Sequence, residues 1–167
     1  MHVIHADFEC LETMPVTALF GAIGVYVLWS RRADVRPSYI GEGNLIARFA
    51  SEHIGRFGDR MSGYAAIMDA STERRCKSDA EILETILLEI GAEIGQCPVQ
   101  NDSRGKRKGI RKHYDDGHNV IRLNLTGYHP LRWESKLRGR TEITARLAWD
   151  SDEDQLGIDV SHPWRRR

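Results

Sequence analysis

Ala22-Ile23-Gly24-Val25-Tyr26-Val27-Leu28-Trp29 is rich in β-branched and aromatic residues, the composition of a strand. Residues 30–37 are polar and carry Arg31, Arg32, Asp34 and Arg36, and Ser38 to Gly41 reads as a second short strand. The pair predicts a hairpin with a long basic loop. Gly41-Glu42-Gly43 interrupts the strand, and Asn44 is placed to cap a helix, since its side chain can accept an orphan N–H of the first turn. Leu45, Ile46, Phe49 and Ala50 follow at helical spacing, and Gly55 and Gly58 predict the end.

Further along, Tyr64 to Ala70 is a third strand candidate, followed by a polar loop from Ser71 to Lys77. Ser78-Asp79-Ala80-Glu81 has the form of a capping box. Ile82, Leu83, Ile86, Leu87, Ile90 and Ile94 then repeat at helical spacing, which predicts a helix ending at Gly91 or Gly95, with Pro98 forbidding its continuation. Residues 104–113, basic and holding Gly105 and Gly109, read as a loop. Strands are expected at 120–125, 142–149 and 156–160, with a frayed tail from Trp164 onward. The order β-β-α-β-α followed by strands predicts an α+β fold.

Gly24-Val25-Tyr26 and Tyr39-Ile40-Gly41, then Arg48 and His53 on a helix, Ala80 and Glu84 on a later helix, and Pro98 with Asn101 come in an order that resembles the GIY-YIG nuclease family. The resemblance spans residues 18–103. It implies a small antiparallel sheet flanked by helices as the catalytic domain, preceded by an extension over 1–17. Residues 104–167 would then be a basic, β-rich C-terminal extension that contacts nucleic acid.

The resemblance also implies roles. Phosphodiester cleavage needs a positioned water, a stabiliser for charge on the phosphate and help for the leaving oxygen. Glu84 is expected to hold a divalent cation, Mg²⁺ or Mn²⁺, through its carboxylate. Glu81, Glu89 and Glu93 share its helix, and periodicity alone does not choose among them. Arg48 is expected to hold the scissile phosphate through its planar fork. Tyr26 is expected to activate the water, with Tyr39 beside it; otherwise both are sheet aromatics. His53 belongs to the site or, falling on the face of Leu45 and Phe49, to the core. Asn101 is expected to orient the site.

Charge and composition set the remaining expectations. Net charge is zero. Residues 1–103 hold 9 basic and 15 acidic side chains against 15 and 9 in 104–167, a split that predicts a polyanion partner for the second half. The expected grip is Arg104, Lys106, Arg107, Lys108, Arg111 and Lys112, with Arg31, Arg32 and Arg36 in the hairpin loop. No apolar run is long enough for a membrane span, and the three scattered cysteines, Cys10, Cys76 and Cys97, form no pairing motif, which predicts a reducing, cytoplasmic setting. Without a cysteine pair, His113, His118 and His129 read as solvated loop residues, and His2 and His5 likewise. The expected activity is metal-dependent endonucleolytic cleavage of DNA, by a homodimer if the target is palindromic. Cleavage of RNA, or binding without cleavage, are the alternatives.

Overall fold

The computed structural model describes residues 1–30, 36–49, 61–96, 98 and 108–164. In chain order the elements are β1 (His2–Cys10), α1 (Val16–Leu19), β2 (Ile23–Ser30), β3 (Tyr39–Asn44), α2 (Leu45–Arg48), β4 (Met61–Ile67), α3 (Glu73–Ile94), α4 (Lys108–Asp115), β5 (Val120–Gly127), β6 (Thr141–Asp150) and β7 (Gln155–Ser161). The fold is α+β, as the order of elements predicts.

The sheet is larger than expected. Seven strands run in the order β3-β2-β4-β1-β5-β6-β7. Neighbours are antiparallel except β1 and β5, which are parallel from His2 opposite Ile121 to Phe8 opposite Gly127. Two segments account for the difference. The region expected as an N-terminal extension supplies β1, which lies in the middle of the sheet. The β-rich C-terminal region continues the same sheet beyond it. In β1, His2, Ile4, Ala6 and Phe8 point inward while Val3, His5, Asp7 and Glu9 face solvent, the period of two that a strand with one buried face requires.

The longest helix starts earlier than the capping-box pattern predicts. Thr72, in extended backbone, accepts the Arg75 N–H with its side chain, so α3 begins at Glu73 and Ser78 lies in its second turn. Asp79 is turned inward and buried, so the Ser78–Glu81 pattern does not cap. The helix ends at Gly95, whose φ of 75° is the left-handed conformation that glycine adopts without a Cβ penalty. Asn44 does cap α2, accepting the Ala47 N–H at 3.0 Å.

Ala80, Ile82, Leu83, Ile86, Leu87 and Ile90 of α3 are fully buried against Phe8, Val25, Val27, Ile121 and Leu123. Each of the larger side chains contributes about 1.5–3 kcal/mol of apolar transfer. A second cluster, on the other side of β2, gathers Leu19, Tyr26, Leu28, Leu45 and Ala65 with Phe49 packed beside them. No helix among the described residues is long and apolar enough to cross a membrane.

Two further expectations are corrected. Part of the stretch read as a basic loop, Lys108–Asp115, is α4. Gly109 there is a packing residue: a Cβ on it would stand 2.7 Å from a Glu81 carboxylate oxygen, so glycine lets α4 approach α3. Ile110 beside it is fully buried. Trp164, expected to open a frayed tail, is also buried and packs on His129 with ring centroids 4.1 Å apart. His129 is therefore a core histidine and not a solvated one. Burial, then Arg132, holds its imidazole down at about 4, and it is neutral at ordinary pH.

Candidate functional site: a carboxylate group at the sheet edge

β3 is an outer strand of the sheet, and its sequence is written around two glycines. Tyr26 faces Gly41 across the β2–β3 pair. A Cβ on Gly41 would lie 2.5 Å from the Tyr26 hydroxyl oxygen and 2.6 Å from the Tyr39 ring. The bare backbone thus makes room for both tyrosines, whose rings stand 6.0 Å apart, with Phe49 edge-on to Tyr26 at 5.3 Å. Tyr26 is wholly enclosed.

Glu42, the next residue, points to the opposite face, because successive strand residues alternate. It is paired with Val25, which packs in the cluster of α3. There Glu42 meets Glu81 and Glu84, one helical turn apart on α3. Burial raises the Glu84 carboxyl most, and Glu42 and Glu81 raise it further, while Arg48 opposes them; it ends at about 7. Glu42 is raised as well, by burial and then by Glu81, with Arg48 and Lys77 opposing. Arg48, at the end of α2, lies over Gly43: a Cβ there would be 3.2 Å from its Nε. Three half-buried carboxyls and one guanidinium therefore share the edge of the sheet.

The residues expected to act together are divided by this arrangement. Arg48 and Glu84 are electrostatically linked. Tyr26 and Tyr39 belong to the cluster on the α2 side of the sheet, with the Tyr26 hydroxyl against Gly41, whereas Glu42 belongs to the face packed on α3. His53 and Asn101 lie outside the described residues, as do Arg31, Arg32, Arg104, Lys106 and Arg107. Arg36 and Lys112 are exposed. Arg111 is engaged within the chain, bonding Asp115 through Nε at 3.0 Å and covering the Trp149 ring at 4.5 Å. Lys108 is the first residue of α4, ahead of the Gly109–Glu81 contact in the chain. Glu42 is the site residue that sequence reading missed; its signal was an acid between two glycines at the end of a strand.

Two other features were missed. His2 of β1, Asp79 of α3 and His113 of α4 form a group able to ligate a metal, with ligand atoms within 4.8 Å of one another. Their positions are far apart in the chain, so no spacing motif announces them. A separate cleft of 410 Å³ is lined by Tyr64, Tyr128, Trp133 and Lys136, where Tyr64 stacks on Tyr128 at 4.8 Å and the Glu134 N–H donates to its hydroxyl at 2.7 Å.

Compared with protein-family models, curated proteins and solved structures, the chain finds no match in any of the three.

Proposed function

We propose that the protein is a metal-dependent nuclease acting on DNA, with its reaction centre at the sheet edge formed by Glu42, Glu81, Glu84 and Arg48. The observation that carries this reading is the raised Glu84 carboxyl among two further carboxyls and an arginine. Like charges gathered in a half-buried place are costly unless a proton or a cation is shared among them. An all-oxygen donor set fits a hard divalent ion such as Mg²⁺ or Mn²⁺. Such an ion, when bound, neutralises charge on the phosphate and eases departure of the leaving oxygen.

The chain's own residues do the rest. Glu84 and Glu42 would hold the ion and, where one stays protonated, would keep a proton close to the phosphate. Arg48 offers its fork to a phosphate oxygen. Lys108 and the basic residues before it in the chain supply positive charge that would neutralise the strand backbone. Tyr26 and Tyr39 shape β3 from the opposite face.

The test is cleavage of supercoiled plasmid and of structured RNA, each with Mg²⁺, Mn²⁺ or chelator, by wild type and by Glu84→Gln. Metal-dependent nicking of plasmid that Glu84→Gln lacks supports the reading. Cutting of RNA alone moves the activity to RNA, and no cutting of either substrate with either metal overturns it.

A further inference from the structure

We propose that His2, Asp79 and His113 bind a zinc-class divalent cation that pins α4 against β1 and α3. This site is separate from the carboxylate group at the sheet edge, and the proposal stands or falls without the nuclease reading.

Three elements contribute one donor each. His2 is an inward residue of β1. Asp79 takes a core-facing position on α3, one turn before Ile82 and Leu83, where an aliphatic side chain would complete the stripe. His113 comes from α4. His2 and Asp79 are both only 8% exposed, a burial that a carboxylate tolerates only when paired or bound to a metal. The His2 Nε2 lies 2.7 Å from Asp79 Oδ1. The His113 ring meets His2 edge-on with centroids 4.4 Å apart, and its enclosed Nε2 has no hydrogen-bond partner among the described residues. That orphaned nitrogen is the second, independent sign of a missing ligand.

The donor chemistry selects the metal. Two imidazoles and one carboxylate suit Zn²⁺ and its borderline neighbours, not Mg²⁺ or Ca²⁺, which prefer oxygen. At zinc–donor distances of about 2.0–2.1 Å, tetrahedral ligand atoms stand about 3.3 Å apart. The His2–Asp79 pair then opens by about half an ångström and His113 moves inward, adjustments within side-chain reach. His118 is close by, its ring 5.5 Å from that of His113.

The consequence is positional. α4 rests on α3 at Gly109 against Glu81 at its start and is tied near its end by His113. A cation there fixes the end of the helix whose start already rests on α3.

Tag-free protein, stripped with chelator, would be titrated with ZnCl₂ and CoCl₂. The expected result is one equivalent of either bound, visible d–d bands of nitrogen-ligated Co²⁺ and a higher melting temperature with Zn²⁺. Millimolar Mg²⁺ should not compete. His113→Ala, at the most exposed of the three ligands, should lose uptake, and Glu84→Gln should keep it. Absence of stoichiometric uptake by wild type overturns the proposal, as does full uptake by His113→Ala. Should His113→Ala fail to fold, imidazole NMR of wild type decides: Zn²⁺-induced shifts at His2 and His113 support the site, and shifts confined to His5 or His162 overturn it.

Discussion

Gly41 and Tyr26 fit together with no space to spare: the Cβ that glycine lacks would stand 2.5 Å from the Tyr26 hydroxyl oxygen. The glycine of Tyr39-Ile40-Gly41 is thus a steric partner of the tyrosine of Gly24-Val25-Tyr26. Gly41→Ala should lower stability by about 1–3 kcal/mol, the usual cost of overpacking. Chemical denaturation reads it, and an unchanged midpoint would show that the β2–β3 edge has room to give.

The same fit bears on catalysis. With its side chain fully buried over Gly41 in the α2-side cluster, Tyr26 is expected to shape the strand and not to touch the reacting phosphate. Tyr26→Phe should cut plasmid within a few-fold of wild type. A loss of about 10²-fold or more, the size expected of a removed general base, at an unchanged melting temperature would put the hydroxyl back into the chemistry.

Glu84 makes stability depend on pH in an uncommon direction for a carboxylate. Its native value of about 7 stands above the ordinary 4.5, so between those pH values the native state holds the extra proton. Stability therefore falls as pH rises from about 4.5 through 7, and the penalty is fully present above 7. Glu84→Gln should flatten that slope and be the more stable protein at pH 8, by no more than about 3 kcal/mol, since the group keeps some exposure to solvent and its shift is coupled to the charge of Glu42. Mg²⁺ should flatten the wild-type slope too. Melting curves from pH 4.5 to 8.5 check both, and a wild-type slope that Glu84→Gln retains would place the shifted group elsewhere.

Six of the seven strands are legible in the sequence because their apolar content or alternation is plain, as in Ile121, Leu123 and Leu125. The first strand is masked by chemistry: two of its nine residues are histidines, and one of them, His2, faces inward. The basic helix is masked by Gly109, which reads as a helix breaker and proves to be a helix contact. The carboxylate group is half legible. Glu84 and Arg48 come from the family resemblance, while Glu42 joins them only when β3 is laid against α3. The His2, Asp79 and His113 group depends wholly on tertiary packing, since its members come from the chain's first residues, its longest helix and a helix that reads as a loop.

The basic half of the chain holds two kinds of basic residue. Arg111 is occupied by Asp115 and Trp149, so Arg111→Ala should cost a few tenths of a kcal/mol to about 1 kcal/mol of stability and leave nucleic-acid affinity nearly unchanged. Arg104, Lys106, Arg107 and Lys108 precede Gly109 in the chain. Replacing these four with Ala should weaken binding to all sequences alike and flatten the log–log salt dependence by about one unit for each phosphate that is no longer neutralised. Cleavage at saturating substrate should survive, because Glu42, Glu84 and Arg48 belong to other elements. Filter binding across a salt series reads the slope. If the four-fold variant binds as wild type does at every salt concentration while Arg111→Ala binds more weakly, the grip lies on the outer face of α4 and not on the run that leads into it.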